Sequence, residues 1–203
     1  MAEIFMKMFF ESEADFSFFK EQLRLRLASR QIRNIHDPAL KEAAVMMLLM
    51  NKEGAPHVVL TKRTETVATH KGQVALPGGG VDEGDGGSLE AAFRETEEEI
   101  GIERNKIEYL GRFDDYISIA GFRVACHVGA VEYPYSCRLS RDEIETCFEA
   151  PLEMFVNAAY DRCELVKWQG NEYRVYFYHY QGYEIWGMTA RILTDFGQII
   201  CRD

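Results

Sequence analysis

Apolar positions fall at helical spacing in three stretches of the chain and form short strand-like runs between them. Over residues 15–29, Phe16, Phe19, Leu23 and Leu27 share one face, which predicts an amphipathic helix whose stripe is core or a packing surface. Asp37-Pro38 marks a turn. Residues 43–51 and 56–63 read as two strands joined by the hairpin loop Lys52-Glu53-Gly54-Ala55. Two more strands are expected at 107–113 and 122–131, separated by a loop over 114–121, and a short helix at 151–157. Residues 163–168 and 173–180 flank Gln169-Gly170-Asn171, a hairpin signal. From Trp186 to Ile200, Met188, Ile192, Phe196 and Ile199 return to helical spacing. Strands mixed with a few helices, with antiparallel hairpins, give an α+β class. No repeat, low-complexity tract or long linker breaks the pattern, so one domain is expected: residues 1–36 as a helical extension packed on a unit spanning 37–203.

The third helical stretch carries the chemistry. Leu89, Ala92, Phe93, Thr96 and Ile100 make a mostly apolar stripe, with Ser88 as an expected N-cap and Gly101 as an expected C-terminal stop. Glu95, Glu98 and Glu99 lie at i, i+3 and i+4, within an arc of about 100° on another face of the same helix. Like charges at that spacing repel by a few tenths of a kcal/mol per pair, and a cation offsets the repulsion. All-oxygen carboxylate ligands select hard divalent ions, Mg²⁺ or Mn²⁺, over zinc or copper. Alone, the run Glu97-Glu98-Glu99 reads first as a solvated acidic face, as most charge runs do. Upstream, however, Pro77-Gly78-Gly79-Gly80-Val81-Asp82-Glu83-Gly84-Asp85-Gly86-Gly87 delivers a glycine-rich acidic loop onto the helix N-terminus. Glycines let the backbone approach a ligand, and a helix N-terminus accepts phosphate oxygens.

Charge sharpens this picture. The chain of 203 residues has a formal net charge of −10. Residues 82–99 hold eight acids against the single base Arg94, so most of the excess sits in the glycine loop and helix. An anionic substrate would be repelled there unless metal ions inverted the local field. Nothing forms the basic patch that nucleic-acid binding needs. The longest apolar stretch, 43–50, is far too short to span a membrane. Five cysteines form no Cys-x-x-Cys pair, and no signal or transit peptide is visible at the N-terminus, so a cytoplasmic setting with free thiols is expected.

Residues 78–102 resemble the Nudix box, the signature of hydrolases that cleave a diphosphate linked to another moiety. The likeness covers the glycine pair, an acidic residue before the helix, Arg94-Glu95, the paired Glu98 and Glu99, and the closing Gly101-Ile102. The acid before the helix is Asp85 where the general box has Glu, and the loop is one residue longer. Val59-Leu60-Thr61-Lys62-Arg63, followed by His70-Lys71-Gly72-Gln73-Val74-Ala75-Leu76-Pro77-Gly78-Gly79, is similar to the extra motif preceding the box in coenzyme A pyrophosphatases. That subfamily also carries the longer loop with Asp. Asp142-Glu143-Ile144 with Ala150-Pro151-Leu152, and the segment Ile185-Trp186-Gly187-Met188-Thr189-Ala190-Arg191-Ile192-Leu193, resemble it too. Ala68 stands where the motif usually has Arg, and Leu76 where it usually has Phe.

The resemblance implies a Nudix-type α/β/α sandwich with a mixed β-sheet. It implies Mg²⁺ or Mn²⁺ on Glu95, Glu98 and Glu99, a small-molecule diphosphate substrate, and a monomer or homodimer. Glu98 or Glu143 would act as general base, and Arg94 would orient the box glutamates. Taken by itself, Glu143 reads first as a helix N-terminal acid. Arg63, His70, Lys71, Gly78 and Gly79 are the substrate-binding candidates; Arg63 could instead pair with a surface carboxylate, and His70 and Lys71 could be plain loop residues. His127, His179 and Trp186 read as fold residues. On coenzyme A the products would be 4′-phosphopantetheine and adenosine 3′,5′-bisphosphate. Alternatives are another diphosphate-linked substrate (ADP-ribose, a dinucleoside polyphosphate, NADH) and a non-catalytic nucleotide-binding module.

Overall fold

The computed structural model describes residues 6–66, 71–168 and 170–201. At its centre is β1 (Lys41–Lys52), where the run Ala43 to Met50 lies. Ala44, Met46, Leu48 and Met50 point to one face and Met47 and Leu49 to the other, all fully buried. A strand without polar alternation is what a sheet covered on both faces requires.

Strand β1 pairs antiparallel with β2 (Ala55–Arg63), closing the expected hairpin at Lys52 and Ala55. It pairs in parallel with β6 (Phe122–Ala130). That one parallel pairing makes the sheet mixed. Strand β5 (Glu108–Ile117) lies antiparallel on β6. It takes in residues 114–117, which the sequence reading gave to a loop. Asp114 and Asp115 are the reason: buried acids look like loop residues until their partners are seen. Arg30 grips Asp114 through two hydrogen bonds (2.8 and 3.1 Å), while Arg112 at 2.6 Å and the Ile35 N–H at 3.0 Å satisfy Asp115.

Three further strands of this sheet had no signal in the sequence reading, nor did the last strand of the second sheet described below. Two short ones, β3 (Val74–Ala75) and β4 (Gly78–Gly80), pair with β2 and β1 respectively. The glycine run was therefore misread as wholly loop; its first part is a strand, and the loop begins at Val81. Strand β7 (Ile144–Pro151) pairs with β2, so Glu143 stands in a turn before a strand rather than at a helix start.

Helix α1 (Glu13–Ser29) is capped by Ser12 and buries Phe16, Phe19, Leu23 and Leu27, as its spacing predicts. Each such side chain contributes about 1.5–3 kcal/mol on full burial. They join a core with Met47, Leu49, Cys126 and Val128 from one sheet face. Helix α2 (Ser88–Ile100) covers the opposite face, packing Ala91, Ala92, Phe93 and Ile100 against Ala44, Met46 and Leu48. Helices thus flank a mixed sheet.

Helix α3 (Glu153–Val156) is short, and β8 (Arg162–Trp168), β9 (Asn171–Tyr180) and β10 (Tyr183–Trp186) form a second, antiparallel sheet. Helix α4 (Gly187–Phe196) then widens into a π-turn over Gly197–Cys201. The wider turn exposes Ile199 and buries Ile200, shifting the end of the stripe expected from regular spacing. Among the described residues, no helix is long and apolar enough to cross a membrane.

Candidate active site

Helix α2 presents its carboxylates to the edge where β4 meets β1. Its N-cap is Gly87 rather than Ser88: Ser88 is already helical, and its hydroxyl lies 3.0 Å from His127 Nε2 on β6. At the other end Gly101 adopts the left-handed conformation (φ 72°) and its N–H donates to the Glu97 carbonyl. The start was therefore misplaced by one residue, and the stop was read correctly.

Glu99 faces inward, Glu95 is half-buried, and Glu98 is exposed. Glu99 is 3% exposed, and its carboxylate accepts from the Gly78 N–H at 3.2 Å and from Arg63 Nη1 at 3.2 Å. Burial pushes its pKa up to about 8, against the opposing pull of the Gly78 N–H and of Arg63. Glu95 also has a raised pKa, chiefly from burial, although Arg94 donates to it at 2.9 Å. Glu98 is exposed and bonded to Arg94 at 3.0 Å.

Arg94 is the hub of the acidic cluster. Besides Glu95 and Glu98 it donates to Asp85 through Nε and Nη2, both at 3.0 Å, and to the Gly80 carbonyl at 3.0 Å. The Arg94 hydrogen bonds, with help from the Asp82 N–H, hold Asp85 below the usual carboxylate range. Asp85 thus fastens the glycine loop to the helix. The signal for this was present in the sequence as the acid kept before Arg94; the contact itself needed the loop's path.

Arg63 connects Glu99 to Glu143, whose carboxylate is 3.8 Å from Arg63 Nη2. Arg63 Nε is buried and has no hydrogen-bond partner among the described residues. Gly78 and Gly79 lie against the glutamates. A Cβ on Gly78 would fall 2.2 Å from the Ala44 carbonyl oxygen, and one on Gly79 would fall 2.4 Å from the Glu95 carboxyl carbon. Lys71 is exposed in the turn before β3, and among the described residues no hydrogen bond or ion pair joins it to this cluster. His70 and Ala68 lie outside the described residues.

The reading missed a strap over residues 137–140. Its backbone N–H groups at Arg138 and Ser140 donate to the carbonyls of Ile100 and Glu99, at 2.8 and 3.0 Å, and so tie down the C-terminal end of α2. Its residues have no periodicity that would mark it. Between strap and helix runs an open groove of about 830 Å³, lined by Arg94, Glu97, Glu98, Arg104 and Arg138 among others.

Among the described residues, no three His, Cys, Asp or Glu side chains converge as a ready metal cluster. Arginines occupy that position instead: Arg94 between Glu95 and Glu98, Arg63 on Glu99. The donor chemistry fits a hard divalent ion all the same. These groups offer only oxygens, and an adjacent cation relieves the cost of ionising a buried carboxylate such as Glu99.

Comparison with known proteins agrees with this geometry. The NUDIX domain family matches residues 40–174. A Cronobacter sakazakii protein named "Uncharacterized Nudix hydrolase NudL" is 36% identical over 156 residues, 76% of this chain and 80% of that protein. A protein of the same name from Escherichia coli is 34% identical over 156 residues, again 76% and 80%. Among solved structures, a Deinococcus radiodurans protein shares the fold at a TM-score of 0.50 and 14% identity, covering 82% of this chain and 93% of its own.

Proposed function

The chain belongs to the Nudix family, and from that premise we propose that it hydrolyses a nucleoside diphosphate-linked compound with the help of Mg²⁺ or Mn²⁺. One observation carries the reading: the Gly78–Gly79 strand lies against two helical glutamates, with the Gly78 N–H donating to Glu99 and Gly79 so close to the Glu95 carboxylate that no side chain fits between them. Bare backbone, carboxylates and the unpartnered Arg63 Nε meet there.

Glu95, Glu98 and Glu99 would hold the divalent ion, which when bound neutralises phosphate oxygens and acidifies water. Arg63 fixes the Glu99 carboxylate and keeps its Nε for a substrate oxygen. Arg94 holds Glu95 and Glu98 in place. Glu98 is the base favoured here, with Glu143 as the other candidate: Glu98 is exposed and held only by Arg94, so it can swing to take a water proton. Positioning and electrostatics suffice for phosphoryl transfer, and no covalent nucleophile is needed.

Coenzyme A or an acyl-CoA is the substrate class we propose. Two stretches support it by resemblance, the one from Leu60 to Gly79 and the one from Ile185 to Leu193. They meet in the fold: Thr189 Oγ1 donates to the Val74 carbonyl at 3.1 Å. Leu76, where the subfamily motif usually has Phe, is a buried core residue, so that departure concerns packing.

The test is a hydrolysis screen with Mg²⁺ and Mn²⁺ over coenzyme A, acyl-CoAs, NADH, ADP-ribose, dinucleoside polyphosphates and nucleoside triphosphates. Coenzyme A or its thioesters should be cleaved at the diphosphate with the highest kcat/KM. Faster cleavage of ADP-ribose or a dinucleoside polyphosphate would move the assignment to another diphosphate. Hydrolysis undiminished by excess chelator would overturn the metal reading.

A further inference from the structure

Two arginines sit among the helical carboxylates, and they are held very differently. Arg94 donates twice to Asp85 and also to Glu95, Glu98 and the Gly80 carbonyl, so the loss of any one partner leaves it anchored. Arg63 is held loosely. Among the described residues its guanidinium makes one hydrogen bond, from Nη1 to Glu99 Oε1 at 3.2 Å. Its Nε is buried without a partner, and its Nη2 lies 3.8 Å from Glu143 Oε2, beyond hydrogen-bond range. A buried donor left unpaired costs free energy, so Glu99 alone is a poor seat for an arginine.

A second seat is already built beside it. Arg63 ends β2, and the pairing of β2 with β7 shifts register between Lys62 and Arg63. An irregularity of this kind re-aims a side chain. The next residue, Thr64, donates from its N–H to the Glu143 carbonyl at 2.8 Å and from its hydroxyl to the Asp142 carbonyl at 3.1 Å. The two backbones are thus fixed side by side, and only side chains need turn for the guanidinium to close on Glu143. The Glu143 carboxylate is half exposed and has no other ion pair among the described residues.

Glu99 supplies the reason to move. One of its oxygens accepts from the Gly78 N–H, and Arg63 holds the other. A guanidinium stays charged at any working pH, so a divalent cation drawn to the same buried carboxylate repels it. We infer that Arg63 is a displaceable counter-ion: it neutralises Glu99 while no metal is bound and passes to Glu143 when a divalent cation binds at Glu99. The inference rests on the metal-dependent reading above and gives Glu143 a role that needs neither metal ligation nor proton transfer. Before the exchange Arg63 fixes Glu99; after it, the positive charge remains at the site's edge, within reach of a substrate oxygen. Arg63 and Glu143 are positioning residues in this exchange.

The test is a Mn²⁺ titration of the full chain, with free Mn²⁺ followed by its EPR signal, on the wild type, Arg63→Gln, Glu143→Gln and the double variant. Arg63→Gln should tighten Mn²⁺ binding about tenfold and Glu143→Gln should weaken it about tenfold, within the span of couplings between contacting groups. In the Arg63→Gln background, Glu143→Gln should change Kd by at most about twofold, because no arginine remains to be received. A purely structural role would move urea midpoints without this non-additivity. The inference is overturned if Arg63→Gln weakens Mn²⁺ binding, since Arg63 then organises Glu99 for the ion. It is equally overturned if Glu143→Gln costs as much without Arg63 as with it, which makes Glu143 a metal ligand. Either result with a wild type that binds Mn²⁺ leaves the metal reading standing, whereas a wild type that binds none overturns both. A crystal structure of the wild type with Mn²⁺ needs no variant to fold: Arg63 should be hydrogen-bonded to Glu143 and no longer to Glu99, and an arginine still on Glu99 beside the ion sinks the idea.

Discussion

Gly79 and Glu95 compete for one space: a Cβ added to Gly79 would sit 2.4 Å from the Glu95 carboxyl carbon and 2.4 Å from its Oε1. The strand and the helical carboxylate are therefore a matched pair. Gly79→Ala should push Glu95 aside and lower kcat by about a hundredfold, the scale of an ångström-sized misplacement of a reacting group. Because both changes disable the same group, adding Glu95→Ala should cost little more. Additive losses in steady-state kinetics would show that the two act separately.

Glu99→Gln separates catalysis from stability. Losing one preorganised charge contact costs on the order of 3–4 kcal/mol in the transition state, so kcat should fall at least about a hundredfold. The folded pKa of Glu99 is about 8, above its ordinary value of 4.5, with burial as the main cause. Its contribution to stability is complete below 4.5 and is lost as pH rises towards 8. Without metal, the Gln variant should therefore be at least as stable as the parent at pH 8. Glu97, exposed and turned away from the glycine strand, should tolerate Gln with nearly full activity. A urea titration and a rate measurement on each variant check both halves, and a large loss at Glu97 would mean that the helix face is assigned wrongly.

Arg94→Lys keeps the charge but loses the fork that reaches Asp85, Glu95, Glu98 and the Gly80 carbonyl together. A hydrogen bond to a charged group contributes about 1.5–3 kcal/mol. The lysine variant should lose about 2 kcal/mol of unfolding free energy in chelator. Mg²⁺ should recover part of this, because the repulsion then left among the acids is what a bound cation offsets. An unchanged urea midpoint would reduce Arg94 to a surface ion pair.

The helix α2 was legible because three independent signals agree over Ser88–Ile100: an apolar stripe, a terminal glycine and a carboxylate arc. Helix α1 was legible for the same reason of period, and the β1–β2 hairpin as two apolar runs flanking the polar, glycine-containing loop Lys52–Ala55. Strand β4 was not, since glycines carry no side-chain alternation and Gly78–Gly80 is placed by backbone pairing with Ala43, Ala44 and Val45 and by contacts from α2 side chains. In the sequence Glu99 is one of three carboxylates on a single helical arc, with nothing to mark it as buried. Its burial depends on Arg63 and the Gly78 N–H, both brought in from other elements. The strap at Arg138 and Ser140 is likewise a long-range feature, made of two backbone hydrogen bonds that side-chain identity does not encode.

His127 shows how a residue read as part of the fold can still leave a measurable trace. It is buried on β6, with Ser88 Oγ 3.0 Å from Nε2 and the Tyr109 hydroxyl 3.2 Å from Nδ1. Burial first, then the nearby Arg112, lower its pKa to about 4, against the opposing effect of Asp115. Its ordinary value is 6.5, so the unfolded chain binds a proton that the folded chain refuses. The stability it contributes is complete above pH 6.5 and is lost as pH falls towards 4. Between pH 7 and pH 5 that loss amounts to about 2 kcal/mol, at 1.36 kcal/mol per unit of pKa difference. His127→Gln keeps a partner for Ser88 but cannot titrate. The variant should start less stable at pH 7, yet lose about 2 kcal/mol less than the parent on going to pH 5. Urea midpoints at the two pH values decide it: equal drops in both proteins would mean that His127 is protonated in the folded chain.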